Sequence, residues 1–103
     1  MIRHMVLTRF PQSITQGAKD FLFSDLKGLT KTISGILNFH SGPNVSVEPH
    51  VMHGFNDLFW FDFSDEAARD AYLIDPGHQA IGARLVAAVD GGLSGLIVVD
   101  VRL

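Results

Sequence analysis

Asp57-Leu58-Phe59-Trp60-Phe61-Asp62-Phe63 is the stretch that decides the fold. It is dense in aromatic residues and free of Gly and Pro, so it predicts a strand. Alternation splits it into two rows, Leu58, Trp60 and Asp62 against Phe59, Phe61 and Phe63. Both rows are largely apolar, so both faces of this strand need cover. Ser64-Asp65-Glu66 follows at once and reads as a helix start, with a hydroxyl cap and acids in the first turn.

Working outward, residues 2–10 read as another strand. Ile2, His4, Val6, Thr8 and Phe10 share one face, and Pro11 ends it. Thr15 can cap a helix running to about Ile33, whose stripe is Ala18, Leu22, Leu26, Leu29 and Ile33. Ile36 to about Val47 is extended, with a bend or bulge expected at Gly42-Pro43. Residues 48–56 hold two histidines, a proline and a glycine and read as an exposed loop. The helix from Ser64 reaches about Ile74. Asp75-Pro76 starts another, with Asp75 at the cap and Pro76 in the first helical position. Ile81, Leu85, Ala88 and Val89 form its apolar face, and Gly91-Gly92 stops it. Leu96 to Val101 is the last strand, apolar on both faces except at Asp100.

The order is therefore β-α-β-β-α-β, with the second helix broken at Pro76. It predicts an α+β, ferredoxin-like domain over residues 1–103, a four-stranded antiparallel sheet with helices on one face. The second sheet face is apolar and uncovered. The same face of another copy is the simplest cover, which predicts a homodimer closed as an α/β barrel.

Composition agrees. A chain of 103 residues is one domain, and it buries roughly 65% of its unfolded surface. Yet 47% of its residues are hydrophobic and only 18% are charged. That excess fits a subunit interface or a cavity lining. The net charge of −3 and the lack of a basic block exclude the electrostatic footprint of a nucleic-acid binder. There is no cysteine, hence no disulfide or thiol chemistry. No stretch approaches the ~20 apolar residues of a membrane span. Arg9 interrupts the apolar start, so no signal peptide is expected and the expected setting is cytoplasmic.

The residues with chemistry gather around the helix break. Tyr72, the sole tyrosine, and His78 lie six positions apart with Asp75-Pro76 between them. His78 falls at the third position of its helix. The positive helix end there disfavours imidazolium and favours the neutral base. Tyr72 can donate to a carbonyl or enolate oxygen. Together they suit removal of a proton beside a carbonyl, as in an aldol cyclisation or an isomerisation. The plainer alternative is that His78 bonds its own backbone while Tyr72 fills the core. His50-x-x-His53, with His40 elsewhere, is too loop-like and too poor in partners for a structural zinc site, so no metal is expected. No phosphate loop, paired carboxylates or Ser-His-Asp set is present.

His4-Met5-Val6-Leu7-Thr8-Arg9-Phe10, Gly42-Pro43-Asn44 and the run Tyr72-x-x-x-Pro76-x-His78 resemble the stress-responsive dimeric α/β barrel (Dabb) family over essentially the whole chain. The resemblance implies a homodimer, and it includes a plant polyketide cyclase in which counterparts of Tyr72 and His78 are the catalytic pair. It also implies that His4 points into the barrel and that Asp57 stands at a pocket position. At that position the cyclase carries a histidine, so the substrate should differ. Asp57 by itself reads as a carboxylate that is exposed or paired with Arg3, Arg9 or a histidine.

Three functions follow as expectations. The first is a stress-responsive barrel protein with a pocket for a small apolar or carbonyl-containing ligand. The second is a cofactor-independent lyase or cyclase, with His78 as base, Tyr72 as polariser and His4 orienting the substrate. The third, by fold analogy alone, is a monooxygenase-like activity. The first two part on geometry, because an enzyme needs Tyr72 and His78 to converge on one small volume.

Overall fold

The computed structural model describes residues 1–103. Its elements run β1 (Ile2–Thr8), α1 (Gln16–Gly28), β2 (Ile36–Pro43), β3 (Asp57–Phe63), α2 (Glu66–Ile74), α3 (Pro76–Ala88) and β4 (Leu96–Arg102). The four strands form one antiparallel sheet in the order β2-β3-β1-β4. This is the ferredoxin-like arrangement expected from the element order.

Register decides which row of each strand meets the helices. Ile2, His4, Val6 and Thr8 of β1 are buried, while Arg3, Met5 and Leu7 are half-buried. They pair with β3 so that His4 lies opposite Phe61 and Val6 opposite Phe59. Phe59, Phe61 and Phe63 therefore share the helix-covered face with His4. Leu22, Leu26 and Leu29 pack on that face from the first helical segment, and Leu85 and Val89 from the end of α3. Phe61 and Phe63 are wholly buried. The other face carries Met5, Leu7, Leu58, Trp60, Ile97, Val99 and Val101, with no element over it.

Local chemistry sets most element ends, and some differ from expectation. Thr15 caps α1 by accepting the Ala18 N–H at 3.1 Å. The helix then tightens into a 3-10 turn at Leu29–Lys31 instead of continuing to Ile33. β1 stops at Thr8, because Arg9 turns its N–H to Gly95 and its carbonyl to Asp90. β2 ends at Pro43, and its irregularity falls between Ile36 and Asn38, not at Gly42-Pro43. The cap of α2 is the Asp65 carboxylate, which accepts the Ala68 N–H at 2.8 Å, and not the Ser64 hydroxyl. Gly35 makes the turn before β2 possible. Its φ is +88°, and a Cβ there would stand 2.6 Å from Ala68 Cβ.

Candidate functional site

The break between α2 and α3 builds the site. Asp75 adopts an extended backbone that α2 cannot continue through, and Pro76 begins α3. Asp75 Oδ1 accepts the His78 N–H at 3.1 Å, which fixes the first turn of α3. Tyr72, in the last turn of α2, and His78 are thereby brought face to face. Their ring centroids lie 3.9 Å apart with a 33° tilt. His4 rises from β1 below them, edge-on to Tyr72 at 5.7 Å. Tyr72 stands between the two imidazoles and rests on Phe61 and Phe63 at 4.9 and 5.0 Å.

All three side chains line one cavity of about 440 Å³. Arg69, Asp70 and Asp100 give it a charged border, and Val6, Leu26, Phe59 and Leu85 give it an apolar wall. It lies between the sheet and the α2–α3 pair. His4, expected to point into the barrel, lines this cavity beneath the helices. Strand alternation puts His4 on the same face as Phe59 and Phe61, beneath the helices, and the second sheet face is a separate surface.

Each polar group has a fixed role available to it. His4 Nδ1 meets Asp100 Oδ1 at 2.6 Å, and Arg69 Nη1 donates to the other oxygen of Asp100 at 2.7 Å. A carboxylate only accepts, so Nδ1 of His4 carries a proton and Nε2 is the ring atom left for a ligand. Burial pushes the Asp100 carboxyl up, but hydrogen bonds from Arg69 and His4 outweigh it and hold it below its usual range. Arg69 Nε also donates to Asp70 at 2.9 Å.

Tyr72 is 1% exposed, and burial pushes its phenol well above the ordinary tyrosine range. It is a neutral donor, not a base. His78 moves the other way. Burial lowers it first and the electrostatic influence of the nearby His4 second, against weaker pulls from Leu73, Asp75 and Tyr72. It is therefore a neutral imidazole at physiological pH. Its Nδ1 is shut away without a hydrogen-bond partner. Beside its Nε2, Gly82 leaves space that a Cβ would fill to 4.0 Å.

Asp57 is not at this cavity. It is buried at the start of β3, where Lys19 Nζ meets its Oδ2 at 3.1 Å. Thr8 stands opposite Asp57, whereas His4 stands opposite Phe61. Four residues of strand, roughly 13 Å, separate the two levels. Nor does Asp57 pair with Arg3 or Arg9. Arg3 is taken by Asp62, with Nε to Oδ1 at 2.9 Å, on the open sheet face. His50 and His53 lie in the β2–β3 connection, and no three His, Asp or Glu side chains gather as a metal site.

Three charged residues at the cavity were given no role in the sequence analysis, Arg69, Asp70 and Asp100. Asp100 was visible as the one charge in an apolar strand. Its pairing with His4 depends on the β1–β4 register, which brings together residues 96 positions apart.

Comparison with known proteins places the whole chain. The model of the stress-responsive A/B barrel domain matches residues 2–103. Nothing matches among curated proteins. Among solved structures, a dimeric ferredoxin-like protein of unknown function from Jannaschia sp. CCS1 is 32% identical, with a TM-score of 0.85 over 99% of this chain and 98% of that one. A Dabb family protein from Mesorhizobium loti is 23% identical, with a TM-score of 0.77 over 99% and 95%. The hydroxynitrile lyase of Passiflora edulis is 16% identical, with a TM-score of 0.83 over 99% and 92%. The last two likenesses are likenesses of fold.

Proposed function

The chain belongs to the stress-responsive A/B barrel domain family, and on that premise we propose a homodimer in which each protomer holds a pocket for a small carbonyl compound and moves a proton beside that carbonyl. The observation that carries this reading is the meeting of Tyr72, His78 and His4 on one cavity of about 440 Å³. That volume lies within the usual range for small-molecule sites.

The roles follow from the protonation states. His78, neutral, accepts the proton on the carbon next to the carbonyl. Tyr72, neutral and desolvated, donates a hydrogen bond to the oxygen on which negative charge grows. His4, whose Nδ1 proton is held by Asp100, offers Nε2 as an acceptor to a ligand hydroxyl, while Asp100 and Arg69 hold its ring. This is chemistry of the lyase or cyclase kind, and it needs no cofactor. The lyase from Passiflora edulis supports the reading only so far as the fold can carry such a reaction.

Assembly is supported by the open sheet face, where seven apolar side chains lack cover, and by dimeric relatives. Native mass spectrometry of the purified protein tests the ligand, and turnover of candidate ketones tests the chemistry. His78→Ala and Tyr72→Phe should each lower turnover by about 10²-fold or more; unchanged rates in both variants would remove the mechanism.

A further inference from the structure

We propose that the pocket selects uncharged ligands, and that Asp70 and Asp100 impose this selectivity by occupying Arg69. The inference rests on the pocket reading above and adds the charge class of the ligand. Arg69 lines the cavity with its side chain 23% exposed. A free guanidinium in that position would be a natural clamp for a carboxylate or phosphate, because its planar fork matches two anionic oxygens.

It is not free. Its Nε is bonded to Asp70 and its Nη1 to Asp100. Counting these three groups, the lining carries one more negative charge than positive. An imidazolium at His4 would bring it to neutrality and no further. No other Lys or Arg side chain lines the cavity. An entering anion thus meets two carboxylates and no unpaired cation, inside walls that screen charge poorly. A neutral carbonyl still finds Tyr72 as donor, with Leu26, Phe59 and Leu85 to cover its apolar part. The pocket therefore takes ketones, esters or phenols without carboxylate, phosphate or sulfate groups, and the charge pattern acts against the wrong ligand.

The test uses the full chain and matched probes, a series of alkyl phenyl ketones and the phenylalkanoates of the same length. Dissociation constants are measured by ligand-observed NMR at low and high NaCl. The ketones should bind, and the carboxylates should bind at least about tenfold more weakly. Asp70 is two-thirds exposed, so Asp70→Asn leaves the fold intact. It should tighten carboxylate binding by about fivefold at low salt, with the ketones unchanged and the gain shrinking as salt rises. Asp100→Asn should act in the same direction. Carboxylates that bind the unaltered protein as tightly as ketones would overturn the selectivity and leave the pocket reading standing, as would Asp70→Asn without any gain. If no probe of either kind binds either protein, the pocket reading falls with it.

Discussion

Val99→Asp separates assembly from folding. Val99 lies in β4 opposite Met5, on the sheet face that no helix covers, and is 42% exposed in the single chain. Full burial of a valine stabilises by about 1.5–3 kcal/mol, so covering the exposed part is worth ~1 kcal/mol. A two-fold interface repeats the contact, giving ~2 kcal/mol per dimer, or about thirtyfold in the dissociation constant. Aspartate forfeits that and also buries a carboxylate without a partner, at several kcal/mol per copy. The dimer should weaken by about 10⁴-fold or more. Size-exclusion chromatography with light scattering is the assay. The unaltered protein should run at twice the 11.3 kDa chain mass, and Val99→Asp at the chain mass. Far-ultraviolet circular dichroism should still report helix, because the hydrophobic core sits on the other sheet face. A Val99→Asp protein that remains a dimer at micromolar concentration would refute the face-to-face packing, and so would a monomeric parent.

Further outcomes are expected at the site. Tyr72→Phe should change thermal stability by no more than about 0.5 kcal/mol, since burial alone, and no hydrogen bond, acts on the phenol, yet turnover should fall by about 10²–10³ if the donor works as proposed. His78 has its pKa lowered by burial, so the folded state takes up its proton less readily than the unfolded state. Its contribution to stability is present above the unfolded value near 6.5 and is lost as pH falls from there through the lowered folded value. In His78→Gln the unfolding midpoint should respond less to pH in that window, and an equal response would contradict the assignment. Asp75→Ala removes the cap on the His78 N–H and should cost about 1 kcal/mol in urea unfolding. A cost near zero would mean that the first turn of α3 is held by something else.

The sequence by itself determined the element order, the residues that start and break the helices, and the two-faced character of β3. These are local properties. Strand alternation has a period of two, proline removes a donor and fixes φ, and a side-chain oxygen caps the nearest free N–H groups. Tyr72, Pro76 and His78 were legible as a unit for the same reason, since only six residues join them. Even so, close local competition moved details, as when Asp65 took the cap from Ser64.

Only the tertiary structure decided what stands across from what. The β1–β4 register sets Asp100 beside His4, and α2 brings Arg69 to Asp100, so a charged relay forms from three separate elements. The β1–β3 register carries Asp57 to a different level and gives it to Lys19. It also places His4 beneath the helices and leaves Trp60 and Val99 on the face that no helix covers. Long-range pairing in a sheet is fixed by the sum of many contacts over the whole domain, and no single short stretch of this chain encodes it.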